Sequence, residues 1–484
     1  MICAKFPKIK NIFTKSSIKF IVVVLALCSW IEISALAQTD FAHPYQRMAK
    51  EFLHELIEID TTHSTGSTTV AAQAMADHLI AAGFPERDVQ VLGELPRKGN
   101  LIVRYRGRDA ASKPILFLAH LDVVEADPED WTVDPFKFTE MDGYYYGRGT
   151  LDDKDEIAIH VANLIRLLRE NFLPDRDIIM AFTADEESGP NNGVAWLIAN
   201  HRDLIDAEFA INEGGGGFLQ DGLHVSNNVQ ASEKIYQSFR IEVMNPGGHS
   251  SLPVKDNAIY RLADALGRIR DYDFPVRLNE VTRSFFERTA LLETDEVGAA
   301  MLGILQDVPD LESISRLAII PNYNSRMRTT CVATQLEAGH AENALPQRAT
   351  AIVNCRILPD EHPSDVLDML NSLVADSEVS ITPLADAKPS PPSPLTPEVL
   401  NPIETITEDM WPGVPVIPIM SAGATDGLYL RNAGIPVYGV SGIFRERGDN
   451  RAHGQDERIS ITSFFDGQEF LYHLTKTLSQ TSGR

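Results

Sequence analysis

Cysteine is scarce in this 484-residue sequence: there are four, and two of them, Cys3 and Cys28, lie in the first forty residues. The remaining pair, Cys331 and Cys355, is too few for a cysteine-built zinc site. Positive charge is also short, with 43 Lys and Arg against 68 Asp and Glu and a formal net charge of −25. That balance excludes nucleic acid and anionic membrane as partners, since both need basic patches. Internal repeats are missing, and the one biased tract is Pro389-Ser390-Pro391-Pro392-Ser393-Pro394, a stiff linker. A membrane-spanning run is missing too. The apolar stretch Phe20–Ile31 is short for a span, and Glu32 closes it.

What is present is a soluble-globular composition, 44% hydrophobic and 23% charged, over a length that suits two domains. Lys5, Lys8, Lys10, Lys15 and Lys19 precede the apolar run, and Ala35-Leu36-Ala37 is a small-x-small cleavage pattern. This order is that of a secretory signal at residues 1–37, leaving a chain that starts near Gln38 with no stable membrane anchor. The expected location is exported, periplasmic or secreted. Losing five lysines and one glutamate takes the formal charge to −29. An exported protein oxidises cysteine pairs readily. Cys331 and Cys355 lie in strand-like segments flanking a turn, and the sequence leaves them either bridged or as two buried thiols.

Along the chain, helices are expected at 44–59 and 68–82, the second stopped by Gly83, and strands near 89–92 and 101–105. Ile115–Ala119 is a short apolar run ending on His120-Leu121-Asp122. Gly147-Arg148-Gly149 leads into Asp152-Asp153-Lys154 and a helix whose apolar face carries Ile157, Val161, Leu164, Ile165 and Leu168. Ile178–Thr183 ends on Ala184-Asp185-Glu186-Glu187, and Phe209–Ile211 on Asn212-Glu213. Strands alternating with helices predict an α/β fold with a mostly parallel central sheet flanked by helices. In such sheets chemistry collects beyond the carboxyl ends of the strands.

From Ile235 the pattern changes to half-exposed antiparallel strands with helices, an α+β unit inserted in the larger one. The expected division is a signal segment at 1–37, a first catalytic part at 38–231, an inserted lid and dimerisation domain at 232–385, and a second catalytic part at 386–484. Between about Ser284 and Tyr323 the inserted part carries a helical stretch of weak periodicity that is expected to shape the substrate entrance.

Imidazole and carboxylate at several strand ends suit zinc. Candidate ligands are His120, Asp152, Glu187, Glu213 and His453. Glu186 has no metal role left and suits the general base that takes a proton from water and passes it to the leaving nitrogen. Asp122, two residues after His120, is expected to reach back to the imidazole and orient it. His54, His63, His160, His201 and His340 pair with no other candidate and read as surface or packing histidines.

Seven stretches in order carry a resemblance: HLDVV at 120–124, GRGTLDDK at 147–154, TADEESG at 183–189, NEGGG at 212–216, NPGGHSS at 245–251, NALP at 343–346 and RAHGQDERI at 451–459. On these the chain, from about residue 45 to its end, resembles the di-zinc aminoacylase, carboxypeptidase and succinyl-diaminopimelate desuccinylase superfamily, particularly its glutamate-carboxypeptidase-like and carboxypeptidase S-like members. The resemblance implies two Zn2+ per chain, with Co2+ or Mn2+ as substitutes. It implies that His120, Glu213 and a bridging Asp152 hold one ion, and that Glu187, His453 and the same Asp152 hold the other. It implies a cis peptide between Asp152 and Asp153, and a homodimer in which His249 reaches the partner's site to stabilise the oxyanion. Asn343 and Arg356 match positions that bind a substrate carboxylate, with Arg328 near enough to substitute for Arg356. Gly423, Thr425 and Asp426 match a substrate-lining loop; for Asp426 a helix cap is the plainer reading.

The expected function is therefore an exported metallohydrolase that cleaves an amide or peptide bond beside a free carboxylate, acting on small peptides or N-acyl amino acids. A dipeptidase for free-amino dipeptides and a non-catalytic, metal-holding peptide-binding protein are the rival readings.

Overall fold

The computed structural model describes residues 43–293 and 295–480. The secretory-signal assignment at 1–37 lies outside them. Among the described residues no helix is long and apolar enough to cross a membrane.

A ten-stranded mixed sheet forms the centre. Its order runs 89–92, 100–105, 178–183, 115–120, 209–212, 437–439, 223–233, 216–220 and 444–446, with 416–421 paired to 223–233. The four strands 178–183, 115–120, 209–212 and 437–439 are mutually parallel. Each is buried along its length and apolar up to its last residue because helices cover both faces. Leu116 and Leu118 pack with Val194, Leu197 and Leu430 on one face. Phe117 points to the other, where its ring meets His160 of the helix Lys154–Arg169. The alternation follows from the two-residue period of a strand. His160 is thus a packing histidine between Phe117 and Phe182.

A separate antiparallel sheet has the order 330–338, 348–357, 235–244, 379–383. Helices Ala258–Arg270 and Pro363–Val374 close its core around Phe239, Ile241, Val353, Leu262 and Leu370. Cys331 and Cys355 are directly opposite in register and are joined by a disulfide.

The helical stretch expected between about Ser284 and Tyr323 is four helices, 280–289, 295–303, 311–318 and 321–327. They do not join the small sheet. Phe285, Phe286, Met301, Ile304, Tyr323 and Met327 form a core with Ile417, which belongs to strand Val416–Ser421 of the large sheet.

Candidate active site

Three neighbouring parallel strands deliver the site. His120 ends strand Ile115–His120, level with Thr183 at the end of Ile178–Thr183. The acidic loop 184–189 follows Thr183, and Glu213 follows the strand Phe209–Asn212. The sheet order thus puts His120 between the two acidic segments. Asp152 and His453 arrive on loops, 147–153 and 447–457.

Those two loops are tied to each other by a buried ion pair. Arg148 Nη1 lies 2.5 Å from Glu457 Oε2, and Glu457 Oε1 accepts the backbone N–H groups of Gly149 (3.0 Å) and Leu151 (2.8 Å). Burial pushes the Glu457 carboxyl up to about 7. The peptide between Asp152 and Asp153 is cis. Asp153 turns inward, and its Oδ2 accepts the backbone N–H of His120 at 3.1 Å.

The five candidate ligands converge as two groups that share Asp152. In one, His120, Asp152 and Glu213 bring donor atoms within 4.8 Å of one another; in the other, Asp152, Glu187 and His453 do so. His120 Nε2 is 2.9 Å from Asp152 Oδ1, while His453 Nε2 is 3.2 Å from Asp152 Oδ2 and 2.8 Å from Glu187 Oε1. The two oxygens of Asp152 therefore face different groups, the geometry of a bridging carboxylate. Tetrahedral zinc with bonds of about 2.0–2.1 Å sets its donors about 3.3 Å apart, so the spacing fits a zinc pair after small adjustments.

The electrostatics fit as well. Burial favours a neutral Asp152, but hydrogen bonds with His120 and His453 hold its carboxyl below the usual range. Hydrogen bonds to Asp152 and Glu187 push the His453 imidazole up to about 10. Metal binding then exchanges a cation for protons.

Glu186 differs from its neighbours. Among the described residues no hydrogen bond or ion pair engages its carboxylate, and burial, then the nearby Glu213, raise its pKa well above the carboxylate range. That is the state of a group able to take up a proton.

Asp122 departs from expectation. Its carboxylate is 3.9 Å from His120 Nδ1, beyond hydrogen-bond reach, and the ring nitrogen instead lies 3.0 Å from the Asp122 backbone carbonyl. Asp122 Oδ1 and Oδ2 accept the backbone N–H groups of Glu186 (3.1 Å) and Glu187 (3.0 Å). Across a two-residue separation the carbonyl is the nearer acceptor, which frees the carboxylate to hold the acidic loop.

The substrate-side residues are not gathered at the metal groups. His249 is exposed, on a two-residue strand paired with Ala344–Leu345. Its Nδ1 meets Ser251 Oγ at 2.7 Å. Asn343 adjoins it, its carbonyl accepting the Ser250 N–H at 3.1 Å. Arg356 stacks on Tyr236, 4.6 Å from the ring centre, and donates to the Ala422 carbonyl at 3.1 Å, on the loop that carries exposed Gly423. Arg328 points elsewhere, pairing with Asp273 at 3.2 Å.

Thr425 is buried and engaged within the protein: its N–H (3.1 Å) and hydroxyl (3.0 Å) both donate to buried Glu233. Glu233 also accepts from Ser390 Oγ at 2.8 Å and pairs with buried Arg431. Asp426 begins the helix Gly427–Asn432 but caps nothing with its side chain. Its oxygens accept from Asn192 Nδ2 (2.5 Å) and Thr183 Oγ1 (3.2 Å), and burial pushes its carboxyl up to about 6.

Sequence reasoning missed Arg148, Glu457, Asn192 and Glu233. Arg148 and Glu457 stand in the motifs at 147–154 and 451–459, so both were within sight; Asn192 and Glu233 carry no motif signal of their own.

Two sets of imidazole and carboxylate donors sharing one aspartate, with a free carboxylate beside them at the ends of parallel strands, define a metal-dependent hydrolase. The model of Peptidase family M20/M25/M40 matches residues 116–477, and the chain belongs to that family. It is 31% identical over 389 residues to "Probable carboxypeptidase S-like 2" of Dictyostelium discoideum, covering 78% of this chain and 74% of that protein. It is also 31% identical over 366 residues to "N-fatty-acyl-amino acid synthase/hydrolase PM20D1" of Xenopus tropicalis, covering 74% and 71%. Among solved structures it is similar to an M20 family metallo-carboxypeptidase from Sulfolobus solfataricus, with TM-score 0.66, 20% identity and coverage of 89% and 99%.

Proposed function

We propose that this M20 hydrolase cleaves the amide bond of N-acyl amino acids and N-blocked dipeptides, releasing the amino acid that carries the free carboxylate. The observation that carries the reading is the shared Asp152, which faces both donor groups with Glu186 unpaired beside them. The names of the two relatives, a carboxypeptidase S-like protein and an N-fatty-acyl-amino acid hydrolase, support a carboxylate-bearing product.

In this reading His120, Asp152 and Glu213 would hold one zinc ion and Asp152, Glu187 and His453 the other, and the ions would supply polarisation of the scissile carbonyl and a lowered pKa of water. Glu186 accepts the proton from the attacking water and delivers it to the leaving nitrogen. Asp122 fixes the backbone of Glu186 and Glu187, so the base and one ligand move as a unit. Arg356 offers a guanidinium to the substrate carboxylate. His249 donates to the developing oxyanion. Because it is exposed on its own chain, that role goes with the homodimer implied by the motif resemblance, in which it serves the partner's site. Export belongs to the same proposal and rests on the basic, apolar and small-residue order of residues 1–37.

The test is product release by mass spectrometry. Zinc-loaded protein meets a panel of N-acyl amino acids of short and long acyl chain, N-blocked dipeptides and free dipeptides. Amino acid released from blocked substrates, and lost in Glu186→Gln, is the expected result. Cleavage of free dipeptides alone would replace this reading with a dipeptidase.

A further inference from the structure

The acidic loop is held from a second side by a residue with no assigned role. Asp185, which precedes Glu186, is buried and adopts a left-handed backbone at φ 57°. That conformation is uncommon outside glycine and persists only where the surroundings enforce it. Lys98 Nζ, itself 8% exposed, lies 2.5 Å from Asp185 Oδ1, while the exposed His63 stands off at 3.9 Å. Among the described residues no hydrogen bond reaches either carboxylate oxygen of Asp185, so the Lys98 ammonium is the close counter-charge of a carboxylate that would otherwise be buried alone.

Lys98 is a fixed anchor. A Cβ on Gly93 would lie 2.2 Å from the Lys98 carbonyl, and one on Gly99 would lie 2.7 Å from Thr69 Oγ1, so the turn carrying Lys98 is pressed against its neighbours. Asn100, two residues on, accepts the Ala184 N–H at 3.0 Å. The turn 98–100 thus grips residues 184 and 185 from one side, and Asp122 grips 186 and 187 from the other.

We infer that Lys98 is a positioning residue for Glu186: through its ion pair with Asp185 it holds the turn that aims the general base at the metal groups. The inference rests on the hydrolase reading for its catalytic consequence, but not for the tether itself.

The experiment uses full-length zinc-loaded protein and four forms: wild type, Lys98→Met, Lys98→Arg, and the charge-balanced double variant Lys98→Met with Asp185→Asn. Amide hydrogen exchange of peptides covering 183–193 reads the loop, metal analysis reads occupancy, and kcat and KM are measured on an N-acyl amino acid. Lys98→Met is expected to speed exchange in this loop about tenfold and to lower kcat about 10²-fold, the cost of misplacing a reacting group by about 1 Å. KM and zinc content stay within twofold of wild type, and Lys98→Arg recovers both exchange and kcat to within a few fold. The double variant carries no lone buried charge and covers the case in which Lys98→Met does not fold; its loop is also expected to exchange fast. Wild-type exchange over 183–193 in whichever of the two Met-bearing forms folds would overturn the inference. So would an equal fall in kcat for Lys98→Arg and Lys98→Met. Absence of turnover in every form, wild type included, would strike the hydrolase reading alone, since the exchange comparison still decides the tether.

Discussion

The rim that carries the five ligands and the short strand pair that carries His249, with Asn343 beside it, belong to the same proposed reaction but are built in different ways. At the rim, acceptors placed from a distance hold the backbone of three of the five ligand-bearing segments. Asp153 takes the His120 N–H, Asp122 takes two on the acidic loop, and Glu457 takes two ahead of Asp152. Around His249 the side-chain partner is local and exposed, Ser251 two residues on, and the backbone is held by a two-residue pairing with half-buried Ala344–Leu345. Ligands need fixed spacing before a metal arrives, so their order is supplied by buried charge. In the proposed homodimer, a donor that serves the partner's substrate would need only to be present at a surface.

The comparison breaks if the rim tolerates loss of its functional groups. Glu186→Gln should cut turnover by about 10³-fold, within the range for a positioned acid–base group, with metal content unchanged by elemental analysis. Next in size is Glu233→Ala, which leaves Arg431 buried beside Ser390 without its counter-charge. Urea unfolding should show a loss of about 3–5 kcal/mol, against a change within about 0.5 kcal/mol for the exposed His249→Ala.

The small sheet has its own staple. Replacing Cys331 and Cys355 by serine removes a bridge spanning a sequence separation of 24 residues. It should cost about 3 kcal/mol while the zinc content stays the same, because no ligand comes from that sheet. Equal loss of zinc would show that the two regions are not independent.

The smallest effect concerns His160, whose burial drives its pKa down to about 3. Its folded pKa lies below the unfolded value of about 6.5, so the unfolded chain binds the proton first and stability falls as pH drops from about 6.5 toward 3. His160→Phe should remove that share. Between pH 6.5 and 5.5 the variant should lose about 1 kcal/mol less than wild type in urea unfolding.

The parallel strands and their ligands were legible because apolar runs ending on His or Glu signal both burial and chemistry. The strand Leu223–Glu233 was not legible. Its interior is polar, with Asn227, Asn228, Gln230, Ser232 and Glu233 all buried, so no apolar period marks it. Asn227 and Glu233 find long-range partners in Thr407 and Thr425, which a local pattern does not reveal. For the same reason Thr425 read as substrate-lining while the fold spends it on Glu233. Asp122 was recognised as an orienting carboxylate, yet its targets lie 64 and 65 residues away in the chain and could not be named from spacing.

The central claim is that Asp152 is shared between two metal ions, and metal analysis of wild type beside Asp152→Ala after zinc loading and dialysis tests it most directly. The account predicts two zinc ions per chain in wild type and loss of both in the variant, because each group loses a donor. Two ions retained by Asp152→Ala, or a single ion in wild type, would contradict it.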